Sequence, residues 1–341
     1  MNAWKSLLNE DPIDWLLEES NPSVRFFALT EILNKPEDNA EVISAKKEIM
    51  KSGLVPKILS KQIDGEYWLN RNNFYIKAKY KGTIWSFILL AELNADANDE
   101  RIRQTCEFIL NNSQHRASGG FSARGSDVNG GTADLVIPCL TGNMIWALIK
   151  FGYLEDSRVQ NGIECILNFQ RYDDGIDKSP SGWPYEKKEK CWGKHTCHMG
   201  VVKNLKALSE IPPNIRSKKV EEIINRAVDY LLNHRIYKKS HDQNVIAKQE
   251  WTQFGFPLMW KIDALEVLDI LTRLGYKDDR MHDAFYLVIS KQDKNGRWKL
   301  EKSFNGRMQV RVEQIGKESK WITLNALKVL KRYYNLINQI N

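Results

Sequence analysis

Apolar positions along this chain recur at helical spacing, in two distinct styles. Val159, Ile163, Ile166 and Leu167 form a one-sided stripe, as do Val220, Ile223, Ile224, Ala227 and Leu231. Each stripe predicts a helix with one face in the core and one in water. Met144 to Phe151, Val201 to Leu208, Ala264 to Leu274 and Ile322 to Leu330 are apolar nearly all round. A helix without a polar face must be covered on both sides. Two concentric rings satisfy both styles: inner helices surround a central cavity and outer helices cover them. No period-two run of useful length occurs, so the expected fold class is all-α, an α/α toroid.

A second regularity marks the helix ends. A Gln closes a helix, a Gly turn follows, and an aromatic comes next. Gln62 precedes Asp64-Gly65 and Tyr67-Trp68, and Gln114 precedes Gly119-Gly120-Phe121. Gln170 precedes Asp174-Gly175 and Trp183, and Gln292 precedes Asn295-Gly296 and Trp298. The Gln spacings are 52, 56 and 122, the last being two periods. The missing unit ends at Tyr230 to His234, where Gln and Gly have drifted away. A period of this length with two helices per unit is the mark of a helical repeat array. About five helix pairs are expected over 60–341. Residues 1–59 read as a helical N-terminal extension of short helices, with start signals at Asp11-Pro12 and Asn21-Pro22-Ser23.

Composition narrows the function classes. The 341 residues carry 50 Lys and Arg against 43 Asp and Glu, a net charge of +7. The excess is diffuse and no aromatic-basic interleaving occurs, so nucleic acid is not an expected partner. The first ten residues have no apolar leader segment, and no run approaches membrane-spanning length. The five cysteines are odd in number. These features together point to a cytoplasmic protein, in which Cys/His clusters mean metal or catalysis more often than disulfides. Nothing in the sequence fixes an oligomeric state.

The one dense cluster runs from Cys191 through His195 and Cys197 to His198. It holds two thiols and two imidazoles just before the apolar helix that starts near Met199. Thiolate and imidazole are the donors that tetrahedral zinc prefers.

At these residues the chain resembles the prenyltransferase/terpenoid-cyclase toroid superfamily. Its Gln-Gly-aromatic turns are similar to the repeats of squalene–hopene cyclases and of protein prenyltransferase β-subunits. The strings Pro138 to Met144, Gly193 to Gly200 and Phe254 to Trp260 look like those of a prokaryotic prenyltransferase-like group. The resemblance covers about residues 60 to 335 and implies a toroid fold. Protein prenyltransferases hold zinc with Asp, Cys and His at inner-helix starts, the His in a His-Thr-Cys string. His195-Thr196-Cys197 matches that string, and Cys139 matches the ligand Cys one period earlier. Ile137 stands where the family's Asp would be. Asp173-Asp174 and Asp278-Asp279 lie outside the Asp-x-Asp-Asp motif of class II cyclases. Gly142 stands where a complement-type toroid would need Gln for a thioester with Cys139.

The expected metal set is therefore Cys139, Cys191 and His195, with Cys197 or His198 as a fourth. The same residues also suit a plain structural role, as small apolar groups at tight helix starts with His198 bonded to backbone. Asp263 opens a helix on the same rim, as a general acid or an N-cap. Arg124, Arg171, Lys190 and Lys194 are candidates to hold a diphosphate, and Trp192 and Trp260 to wall an apolar substrate. The leading expectation is a zinc-dependent, prenyltransferase-like enzyme acting on a small apolar or isoprenoid-like substrate in an aromatic-lined cavity. A non-catalytic ligand- or peptide-binding toroid with structural zinc stands beside it. A metal-free terpenoid cyclase-like protein is the third reading.

Overall fold

A computed structural model describes residues 3–75, 77, 79–174, 178–193 and 195–338. Its helices, in chain order, are α1 (Ile13–Leu16), α2 (Pro22–Phe27, continued by a π turn Ala28–Ile32), α3 (Ala40–Ile49), α4 (Leu54–Leu59) and α5 (Thr83–Glu92). Then come α6 (Glu100–Asn112), α7 (Pro138–Lys150), α8 (Ser157–Phe169), α9 (Glu189–Trp192) and α10 (His198–Ser209). The last four are α11 (Lys218–Asn233), α12 (Ala264–Arg273), α13 (His282–Ser290) and α14 (Lys320–Asn338). Among the described residues the only ladder is a two-residue hairpin, β1 (Gly125–Ser126) with β2 (Gly130–Gly131).

The two styles of apolar pattern become two rings. Side chains of α2 and its π turn, α5, α7, α10, α12 and α14 line one central cavity. Helices α5, α7 and α10 are buried almost throughout their length. The one-sided helices α6, α8 and α11 bury a single stripe each and form the outer wall. Their starts are capped by Asp99, Asp156 and Ser217, whose side chains accept backbone N–H groups of the first turn. Helices α7 and α10 pack most closely. A Cβ on Gly142 would lie 2.5 Å from the Lys203 carbonyl carbon and 2.6 Å from the Asn204 nitrogen, so only glycine permits that approach.

The repeat has a physical reason. Gln62 Nε2 donates to the Gly65 carbonyl of its own turn at 2.8 Å and to Thr105 Oγ1 near the start of the next outer helix at 2.7 Å. Gln114 Nε2 does the same to the Gly119 and Arg158 carbonyls, at 2.8 and 2.6 Å. The aromatic then hands its backbone N–H to a threonine of the following inner helix. The pairs are Trp68 with Thr83, Phe121 with Thr141 and Trp298 with Thr323, at 3.1, 3.0 and 3.0 Å. Each unit is thus tied sideways to the next outer helix and inwards to its own inner helix. Gln170 departs from the scheme, donating to the Arg171 carbonyl and accepting from Asn204 Nδ2 of α10 at 2.6 Å.

Residues 3–59 pack against the ring. Gln292 meets the start of the chain, accepting from the Asn9 nitrogen at 2.6 Å and donating to the Leu7 carbonyl at 3.0 Å. Phe27 and Glu31 line the cavity. Lys331 of α14 donates to the Glu31 and Ile32 carbonyls at 2.8 and 2.9 Å. With α2 in place the inner ring has six positions where the period alone suggests five. The first unit carries no Gln-Gly-aromatic turn ahead of it, so its membership is silent in the repeat.

Candidate functional site

The central cavity is small, and half of its lining residues are charged. It offers about 110 Å³ of free space. Phe27, Trp146, Phe256 and Trp321 give it aromatic walls, but acids and bases from the inner helices make up much of its lining. Lys203, fully buried, bonds both carboxylate oxygens of Glu266 at 2.7 and 2.8 Å. Lys206 meets Glu92 at 2.6 Å and lies 3.9 Å over the Trp146 ring. Glu210 takes Arg273 and the Trp146 N–H, and Asp269 takes Arg332 at 2.8 Å. Burial pushes the Lys203 ammonium down, against the pull of Glu266. Burial also opposes ionisation of Asp269, yet Lys328, Arg332 and Arg273 hold that carboxyl far below the usual range. Removing one partner from such a pair leaves a buried charge uncompensated.

Asp263 forms the boundary of this cavity. Its Oδ1 accepts from the Glu266 nitrogen at 2.9 Å, capping α12, and its Oδ2 accepts from the Gly255 nitrogen at 2.9 Å. The residue is buried, and burial lifts its carboxyl to about 6, with Glu266 adding to the rise and Lys302 opposing it. The cap expected from sequence is present, and the same carboxyl holds a proton in the mildly acidic range.

A second region lies where the inner helices start. Cys139 sits in the first turn of α7, Cys191 on the short α9, and Cys197 at the N-cap of α10. The three sulfurs lie within electrostatic reach of one another. Burial raises all three thiols, Cys191 to about 11 and Cys139 well above the ordinary value, and each neighbouring sulfur adds to the rise of Cys139. The Tyr75 phenol stands in the same field and stacks on Trp85 at 4.6 Å. Cys106 and Cys165 are buried in the outer helices α6 and α8.

Beside the thiols opens a cleft of about 440 Å³ lined by Lys190, His195, Cys197, His198, Lys248 and Trp251, among others. His195 is exposed on it. His198 is buried and turned to other company: it stacks on Trp251 at 4.2 Å and meets the His234 ring at 5.2 Å. Burial lowers it to about 3, with a backbone contact at Ile236 opposing the fall.

The remaining candidates divide. Lys190 faces the cleft. Arg171 is taken up by Asp173 and by the Trp192 and Gly193 carbonyls, so it braces the loop and is not free for a diphosphate. Arg124 is exposed beside the hairpin, away from the cleft. Trp192 is buried with its N–H on the Val136 carbonyl at 2.8 Å, and Trp260 donates to the Tyr80 hydroxyl at 3.0 Å. Neither walls the cleft or the cavity. Lys194 lies outside the described residues. Sequence reading passed over Lys203, Lys206, Glu92 and Glu266, although two lysines inside an all-round apolar helix were a signal. It also passed over Tyr75, His234 and Lys248, which come from other loops and carry no local mark.

Thiol and imidazole are donor types that zinc takes. Among the described residues no three Cys, His, Asp or Glu side chains stand at the spacing of a finished metal shell. The thiols would have to close up around an ion.

No family model matches this chain, and no curated protein does. Solved structures do. The apo type II terpene cyclase MstE from Scytonema is 14% identical with a TM-score of 0.44, covering 93% of this chain and 89% of its own. A form of the same cyclase in complex with merosterolic acid A is 14% identical with a TM-score of 0.43, covering 95% and 98%. A protein from Actinoplanes is 12% identical with a TM-score of 0.41, covering 94% and 91%. Such values leave the chemistry to this chain's own side chains. Its double ring of helices is an α/α toroid on its own contacts.

Proposed function

We propose that the protein is a zinc-dependent, prenyltransferase-like enzyme whose reactive centre is the mouth of the toroid and not its middle. The observation that carries this reading is that Cys139, Cys191 and Cys197, from three separate segments, lie within electrostatic reach of one another, with Cys197 lining an open cleft. Neutral thiols gain little from each other's company, whereas a divalent cation turns the same crowding into attraction. Zinc held by these thiols and His195 would supply an activated thiolate or water. The protein's part is to fix Cys139 on α7 and Cys197 on α10, two packed helices. Trp251 and Met199 give the cleft an apolar wall, and Lys190 and Lys248 place cations at its edge. That combination suits a small apolar or isoprenoid-like substrate bearing an anionic group such as a diphosphate.

One observation favours the second reading, a binding toroid with structural zinc. The acids and bases of the central cavity are largely paired with one another, which is what a scaffold requires and a catalyst does not. Cobalt titration combined with a diphosphate-release assay separates the two. The enzyme reading expects thiolate-to-cobalt absorption in wild type, its loss in Cys139→Ser, and zinc-dependent diphosphate release from a prenyl diphosphate given a thiol acceptor. Cobalt absorption without any release supports the binding toroid. Cobalt bound with no thiolate band contradicts the site altogether.

A further inference from the structure

Charge is distributed unevenly between the two ends of the ring. The five connections that lead from an outer to an inner helix are 60–82, 113–137, 170–197, 234–263 and 291–319. They carry 26 Lys and Arg against 16 Asp and Glu, a net charge of +10. The five connections that lead back outwards are 33–39, 93–99, 151–156, 210–217 and 274–281. They carry 4 basic against 9 acidic residues, a net charge of −5. The inner helices all begin at the basic end, so their dipoles add to its positive potential.

The centre of the basic end is a defined patch. The Tyr80 nitrogen donates to the Arg307 carbonyl at 3.2 Å, Gln309 Nε2 donates to the Lys81 carbonyl at 2.7 Å, and Lys61 reaches the Gln309 carbonyl. Trp260 closes the group through its bond to the Tyr80 hydroxyl. Lys79 and Lys261 flank the Trp260 ring at 5.8 and 5.9 Å, and Arg307 lies 4.9 Å over Tyr80. Lys61, Lys79, Lys81 and Arg307 form no ion pair with any described residue, while Lys261 meets Glu250 at 3.0 Å. The basic-end connections also hold Ile63, Leu69, Val128, Val245, Ile246 and Ile315, six of the ten large apolar residues left exposed among the described ones.

We propose that this end of the toroid docks on an anionic phospholipid surface. Unpaired cations over aromatic rings, with isolated aliphatic tips on the surrounding loops, match a plane of phosphate headgroups over hydrocarbon. A molecule positive at one end and negative at the other turns its mouth towards such a plane before contact. Docking would set the thiol-bearing mouth against the bilayer. It stands independently of the zinc reading, because none of the patch residues is a proposed donor.

The test is co-sedimentation of the full chain with vesicles. Vesicles of phosphatidylcholine with about 30% phosphatidylglycerol should retain at least about tenfold more protein than pure phosphatidylcholine, and about 0.5 M salt should release it. The triple variant Lys79→Glu, Lys81→Glu, Arg307→Glu should lose about tenfold in retention. A charge-matched control, Lys46→Glu, Lys218→Glu, Lys277→Glu, should behave as wild type, and both variants should melt as wild type does. Equal retention on the two vesicle types overturns the proposal. So does equal loss in patch and control variants, and so does salt-sensitive capture of a single-stranded oligonucleotide without vesicle binding.

Discussion

The central cavity and the mouth are built by the same inner helices, yet they treat their polar groups in opposite ways. In the cavity, lysines and arginines meet carboxylates, and the fully buried Lys203 grips Glu266 with both its oxygens. At the mouth three thiols lie within electrostatic reach of one another, and burial raises each of them although Lys203, Lys188 and Lys248 each pull one back. A paired interior leaves few of its buried charges uncompensated. The difference teaches where to look for chemistry in a toroid whose middle is nearly full.

Removing one member of a cavity pair should produce the largest effect. Lys203→Ala strands the Glu266 carboxylate and is expected to lower unfolding free energy by about 3–5 kcal/mol in a denaturant titration. Replacing both partners, Lys203→Met with Glu266→Leu, should recover most of that loss. If the double variant stays as weak as the single one, the pairing account of the cavity is wrong. Next in size is the helix contact between the two regions. Gly142→Ala forces a methyl group against the backbone of α10 and should cost about 1–3 kcal/mol.

A pH effect follows at Asp263. Burial holds its carboxyl near 6, whereas the unfolded carboxyl titrates near 3.8. The folded state therefore keeps the proton longer. This group's contribution is fullest below about pH 4 and fades as the pH climbs through 6, by about 3 kcal/mol in all. Asp263→Asn should flatten that part of the stability profile. An unchanged slope would mean the carboxyl is not protonated where the cavity buries it. The smallest stability effect belongs to the mouth. Cys139→Ser should shift unfolding by less than about 1.5 kcal/mol while abolishing metal-linked behaviour, the reverse of Lys203→Ala.

The alternation of one-sided and all-round apolar helices was enough to read the double ring from sequence, and the Gln-Gly-aromatic turns located its units. The first inner helix escaped because α2 is short and has no such turn before it; its place shows only in space, through Phe27 and Glu31 in the cavity lining and the bonds from Lys331 to the Glu31 and Ile32 carbonyls. Cys139, Cys191 and Cys197 were legible because rare soft donors at one period's spacing are conspicuous. His198 was legible as a residue but not as a partner, since its direction depends on Trp251 and His234 from a distant loop. The charged cavity was hidden for a similar reason. Lys203 and Glu266 are ordinary surface residues until two helices bring them face to face.

Zinc stoichiometry of protein purified without chelator tests the central claim most directly. The account predicts about one zinc per chain in wild type and in Cys106→Ser and Cys165→Ser, falling to well under half in Cys139→Ser and Cys191→Ser. Equal zinc in all five proteins, or none in any of them after zinc is supplied, would contradict it.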